Sequence, residues 1–165
     1  KGNRRLKSMD HDLVEQLFKK YHNDVLLYAM SLTKNASEAE DLASEAFFKA
    51  LATADEVKNF KAWILTVCRN LFLNKRRWRS KLTQLPDEIS SERDEVLYKI
   101  IEDENYRALY NAISLLPNNL KEIILLFYFE DMKIETISSI VGKSESNVKV
   151  MLYRAREQIK KILEK

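Results

Sequence analysis

"GKSESNVKVMLYRAR", Gly142 to Arg156, decides how this chain is read. The only other glycine is Gly2, so Gly142 is the one glycine in the body of the chain. Before it, Ile134, Ile137 and Val141 fall at helical spacing and form an apolar stripe. Gly142 can take the left-handed conformation that ends a helix without a Cβ clash. Ser144 can cap the next helix, its hydroxyl accepting from the backbone N–H near Ser146 or Asn147. Two helices meeting across a short glycine turn is the layout of a DNA-binding helix-turn-helix. Val148, Leu152, Ala155, Ile159 and Ile162 repeat every three or four residues and face a core. Ser146, Lys149, Val150 and Tyr153 lie on the opposite side, with Arg154 beside them. Val150 could touch a thymine methyl in a major groove. Taken alone, it reads better as one of the scattered apolar residues found on any surface.

Composition supports a helical, globular chain. Among 165 residues there are two Gly and two Pro, with 45% hydrophobic and 32% charged residues. So few turn formers argue for long helices and against a sheet-rich fold. The expected fold class is all-α, with two small helical domains and a helix-turn-helix in the second. No apolar run is long enough to span a bilayer. The basic N-terminus has no apolar segment behind it and does not read as a signal peptide. A lone Cys68 fits a reducing, cytoplasmic setting and reads as a small buried hydrophobe. His11 and His22 are too few for the usual zinc sites, so no metal or other cofactor is expected.

The net charge of +3 is unevenly spread. Residues 1–79 hold 15 basic and 10 acidic side chains, 80–104 hold 3 and 8, and 105–165 hold 10 and 7. Two basic lobes flank an acidic middle. The pattern fits two nucleic-acid-facing modules and an intervening segment that avoids DNA. The expected domains are residues 1–80 and 105–165, joined by a flexible acidic linker at 81–104 that contains Pro86. In the first lobe, helices are expected over 10–34, from 38 to 51, and over 60–79. Leu13, Leu17, Tyr21, Val25 and Tyr28 would line the first. Ser37 with Glu40 would cap the second as a capping box. "ATADEVKN" reads as a loop. In the second lobe, helices are expected over 105–115, 118–129, 134–141 and 144–165, the first beginning early within 94–104.

"EDLASEAFFKAL" as a helix puts Ala43, Ala46, Phe47 and Ala50 inward. Asp41, Ser44, Glu45 and Phe48 lie outward. An aromatic among carboxylates suits an interface with a basic partner; a solvated acidic face reads as well. The helix from Phe60 mixes aromatics with Lys61, Arg69, Lys75, Arg76, Arg77 and Arg79. Bases that line phosphates and aromatics that stack on unpaired bases are how single strands are held. Trp63 and Phe72 also suit a core. Lys58, Asn59 and Asn70 are polar groups at its start and along its length.

Four features carry a resemblance: "SEAEDLASEAFFKAL", "FKAWILTVCRNLFLNKRR", "LLPNNLKEIILLFYFEDMKIETISSIVGKSESNVKVMLYRAREQI", and their order around an acidic linker. In these the chain resembles the extracytoplasmic-function sigma factors of bacterial RNA polymerase, over nearly its whole length. The resemblance implies that Asp41, Ser44, Glu45 and Phe48 meet the clamp helices of the polymerase's largest subunit. It implies minus-ten DNA contacts from Lys58, Asn59, Trp63, Arg69, Asn70, Lys75, Arg76 and Arg77. It implies minus-thirty-five contacts from Thr136, Ser146, Asn147, Lys149, Val150, Tyr153 and Arg154. It implies a linker threading the RNA exit channel and an anti-sigma factor as inhibitor, with no catalysis and no membrane insertion. Ser44, Phe48, Lys121, Thr136 and Ser138 depart from the family's usual Gln, Leu, Arg, Glu and Ala. A free-standing helix-turn-helix regulator with an N-terminal sensing or dimerisation domain is the alternative. An enzyme is disfavoured, since no phosphate-cradling glycine loop or nucleophile motif is present.

Overall fold

A computed structural model of the chain describes residues 11–53, 57–82 and 102–165. Of the linker expected at 81–104, residues 83–101 with Pro86 lie outside the described residues, as do the early helix start before 102 and the middle of the 52–59 loop; residues 81 and 82 belong to a helix and Glu104 begins the next described one. Among the described residues there are seven helices and no strand. They are α1 (His11–Thr33), α2 (Ala36–Ala52), α3 (Phe60–Leu82), α4 (Glu104–Ser114), α5 (Asn118–Tyr128), α6 (Ile134–Val141) and α7 (Glu145–Leu163).

The helix ends follow from local chemistry. Lys34 closes α1 in the left-handed region, with φ 57°. Asn35, not Ser37, caps α2: its side chain accepts from Glu38 N at 3.1 Å. Both residues satisfy a capping pattern, but Thr33 Oγ1 also accepts from Asn35 N at 3.3 Å and fixes the earlier start. Asp103 caps α4 by accepting from Asn105 N. Pro117 precedes α5, where its fixed φ and missing N–H cost the helix nothing.

The apolar stripe of α1 differs from its expected form at one end. Val14 is buried, whereas Leu13 is 45% exposed. Further along, every residue from Val25 to Ser31 is buried. Successive helical residues step round the axis by about 100°, so such a run means that all faces are covered. α2 and α3 pack against α1 within the first lobe. α5, from the second lobe, packs on it as well, and α3 meets α6. One continuous apolar cluster therefore runs from Val25 through Leu42 and Ile64 to Ile124, Leu152 and Ile159. The two lobes are docked.

The second lobe is built round α5. Ile123, Ile124, Leu125 and Leu126 are all fully buried, held between α1 on one side and α6 and α7 on the other. Arg156 ties α7 to the end of α5. Its Nε donates to Tyr128 Oη at 2.8 Å, and its guanidinium lies 5.3 Å from the Phe127 ring.

Gly142 is the joint between α6 and α7, with φ 69°. A Cβ there would meet no atom within 4 Å, so backbone conformation alone requires the glycine. Gly142→Ala should therefore cost about 1 kcal/mol in urea unfolding, the left-handed penalty of a residue with a Cβ. A variant as stable as the parent would show that the turn relaxes to another conformation.

Candidate nucleic-acid interface

The helix-turn-helix forms as its sequence dictates. The N–H groups of Gly142 and Lys143 both donate to Ser138 O, at 3.0 and 3.3 Å. The Ser138 hydroxyl donates to the Lys143 carbonyl and braces the turn from inside. Ser144 then caps α7, its Oγ accepting from Asn147 N at 3.1 Å. Val148, Met151, Leu152, Ala155 and Ile159 are buried and fix the rotation of α7 about its axis. That rotation leaves Ser146, Asn147, Lys149, Val150, Tyr153 and Arg154 exposed together. Tyr153 is 65% exposed. Thr136, on α6, is only half-buried.

α2 presents the two faces read from its sequence. Ala43, Ala46, Phe47 and Ala50 are buried, while Asp41, Ser44, Glu45 and Phe48 are exposed. Phe48 is 72% exposed, the most exposed large hydrophobic residue among the described residues. Lys75 of α3 reaches Glu45 Oε1 at 2.7 Å, and Arg79 pairs with Glu38. Thus Glu45 and Lys75, assigned to different partners by sequence, contact each other across α2 and α3. Exposed pairs of this kind contribute roughly 0–1 kcal/mol, so either side chain is readily recruited elsewhere.

α3 is divided along its length. Its first half is apolar and packed: Ile64, Leu65 and Cys68 are buried. Burial pushes the Cys68 thiol up to about 12, so it stays protonated and is a structural residue. Trp63 is half-buried, 5.8 Å from the Phe60 ring, in an aromatic row that continues to Tyr21 and Phe47. The core reading of Trp63 fits that packing. Asn59 is exposed, but its side-chain carbonyl already accepts from Ala62 N at 3.2 Å as the cap of α3. Lys58 and Asn70 are exposed. The second half is basic and open: Arg76 and Arg77 are exposed, and Trp78 between these arginines and Arg79 is 69% exposed.

Arg69 has a different environment. Its Nε donates to Glu122 Oε1 of α5 at 2.6 Å, and Tyr28 Oη of α1 donates to the same oxygen at 2.5 Å. Burial, the Glu122 carboxylate and their hydrogen bond all push the Tyr28 hydroxyl well above its usual range. It therefore remains a donor. A second polar contact crosses the same seam. Lys61 of α3 donates to the Glu130 carbonyl at 2.8 Å, and its Nζ lies 3.2 Å from Glu130 Oε2. Lys61 is also 3.9 Å from Asp24 of α1. Burial and the Asp24 carboxylate push Glu130 up to about 8, against the opposing pull of Lys61. Sequence reading missed Glu122 and Glu130, and it placed Tyr28 in the α1 stripe without a role for its hydroxyl. The available signal was two carboxylates inside the apolar run "LKEIILLFYFE", where an isolated charge is costly to bury.

No cluster of three or more potential metal ligands occurs among the described residues, and no described helix is long and apolar enough to cross a membrane.

Comparison with known proteins gives two family matches, in the order of the two lobes. Residues 17–81 match Sigma-70 region 2, and residues 106–159 match Sigma-70, region 4. The ECF RNA polymerase sigma factor SigM of Bacillus subtilis (strain 168) is 31% identical, over 89% of this chain and 93% of its own length. RNA polymerase sigma factor SigV of the same organism is 34% identical, over 82% of this chain and 81% of its own. Among solved structures, the sigma factor RpoE of Bartonella quintana, in complex with the anti-sigma factor NepR, shares the fold with a TM-score of 0.69. It is 22% identical, and the match covers 91% of this chain and 96% of that one. Two sigma-70 regions in order, on an all-α fold with an open helix-turn-helix, leave one assignment: the chain belongs to the extracytoplasmic-function sigma factors of the sigma-70 family, non-catalytic transcription initiation factors that bind core RNA polymerase and promoter DNA.

Proposed function

We propose that three exposed surfaces divide the work of this sigma factor. The outward face of α2, with Asp41, Ser44, Glu45 and Phe48, docks on the polymerase. Its support is an exposed phenylalanine among acidic and polar side chains, which fits a basic, partly apolar partner surface. The open half of α3, with Arg76 and Arg77, meets the opened minus-ten strand, with Lys58, Asn59, Asn70 and Lys75 nearby. Cationic side chains flanking an exposed Trp78 can bind phosphates and stack on a base. Arg69 and Trp63 contribute only when their present partners are released.

The α7 face reads the minus-thirty-five duplex, and it is the observation that carries the proposal. Buried Val148, Leu152 and Ala155 turn Lys149, Val150, Tyr153 and Arg154 outward together, behind a turn fixed by Gly142 and Ser144. At 19 residues α7 is about 28 Å long, enough to lie along a major groove with its N-terminal half inserted. The protein acts in the cytoplasm, where polymerase and promoter are. An anti-sigma factor holds it silent; the RpoE structure, similar in fold, is a complex with one. Run-off transcription by core polymerase over a promoter library, with and without this protein, tests the reading. Promoter-selective initiation only when it is added is expected; the same transcripts in both cases would refute it.

Two substitutions separate the surfaces. Glu45→Lys should weaken binding to core polymerase at least several-fold in a pull-down titration, with helicity by circular dichroism unchanged. Unaltered affinity would remove the α2 face from the interface. Arg154→Ala should cost about 1–3 kcal/mol of duplex binding and relax selectivity at one position if it reads a base. If it holds a phosphate, the loss should be uniform across sequences and the salt slope should fall by about one unit. Full promoter binding by a Lys149→Ala, Arg154→Ala double variant would place the reading surface elsewhere.

A further inference from the structure

We propose that Glu122 and Glu130 form a two-point latch, which closes the second lobe over Arg69 and the first half of α3 in the free chain and opens on loss of a proton. The relevance to promoter binding rests on the reading of α3 as the minus-ten surface; the latch itself does not.

The geometry carries the closure. Glu122 sits on α5, yet one of its oxygens accepts from Tyr28 on α1 and from Arg69 on α3. The Arg69 and Glu122 side chains are 21% and 13% exposed, so the pair is largely shielded from water. While it stands, the Nε edge of Arg69 is taken and is not offered to a phosphate or a base. Glu130 makes the second point at the far end of α5, with a fully buried side chain. The groups facing it are Asp24 on α1 and Lys61 on α3. Asp131, next in the chain, is exposed. Lys61 donates to the Glu130 carbonyl and its Nζ stands 3.2 Å from Oε2, an ion pair that makes no hydrogen bond of good geometry to either carboxyl oxygen. A buried carboxyl group, a half-buried one and a single lysine form a site that is best satisfied when the buried carboxyl carries a proton.

The sign follows from the proton. In the docked chain Glu130 holds it up to about pH 8, against an ordinary value of 4.5 once undocked. Docking therefore takes up a proton between those limits, and the docking constant falls about tenfold per pH unit across them. Docking is strongest in acid, weakens as pH rises through about 8, and changes no further above it.

The test is small-angle X-ray scattering of the full chain from pH 6 to pH 9, without polymerase or DNA. A single globule of 165 residues has a radius of gyration of about 15 Å. The parent should be near this value at pH 6 and measurably larger at pH 9, with helicity unchanged. Glu130→Gln, which cannot lose the proton, should stay compact throughout. Glu122→Gln should shift the expansion to lower pH. If Glu122→Gln loses helicity, Tyr28→Phe, which removes only one hydrogen bond to Glu122, should give a smaller shift in the same direction. A parent equally compact at both pH values, or expansion unaffected by Glu130→Gln, overturns the latch. Because promoter-selective transcription is measured separately with core polymerase, the latch can fail while the sigma-factor reading stands, and the reverse.

Discussion

The burial of α1 from Val25 to Ser31 on every side is the constraint on which the rest of the structure depends. A surface helix needs only one apolar stripe. This segment has apolar residues all round it, and α2 and α3 cover only part of them. The remaining face must be taken by another element or left in water. Exposing several large side chains would cost about 1.5–3 kcal/mol each. α5 supplies the cover with a set of branched residues, from Ile123 to Leu126, that are themselves fully buried. Each small lobe alone would have a limited core. Docked, they share one.

That shared core has a functional cost. The seam that completes α1 also occupies Arg69 and the side of α3 nearest to it. The faces left open are the outward side of α2, the basic end of α3 and the reading side of α7. The open faces of α2 and α7 lie on helices whose opposite sides are buried, whereas residues 76–81 at the basic end of α3 are exposed all round. Polar groups at the seam set how firmly the lobes stay together. A buried ion pair adds little net stability by itself, but removing one partner leaves an uncompensated charge. Glu122 and Glu130 thus make the seam specific and sensitive to change, while the apolar contacts supply its strength.

What the sequence made legible was what depends on near neighbours in the chain. Gly142 and Ser144 announce the turn, because left-handed backbone and N-capping are local requirements. The two faces of α2 follow from helical spacing alone. The bounds of α6 were read to the residue. Errors arose where two local signals competed: Asn35 and Ser37 both satisfy a cap, and the bracing by Thr33 decides between them. Leu13 and Val14 both keep helical spacing with Leu17 and Tyr21, and only the packing of α1 decides that Val14 is the buried one. The partner of Arg69 was not legible at all. Its partner is 53 residues away, and no local pattern links an arginine in "VCRNLF" to a glutamate in "LKEIIL". A basic residue in a basic helix reads as a phosphate contact until the docked lobe is seen.

Amide hydrogen exchange on the full chain at pH 6 tests the shared core most directly. If α5 completes the burial of α1, the amides from Val25 to Ser31 and those from Ile123 to Leu126 should open together, with the same free energy. A destabilising change at the seam, Ile124→Ala, should speed both sets by the same factor. Slow exchange retained in α1 while α5 exchanges fast would show that the first lobe is complete without the second.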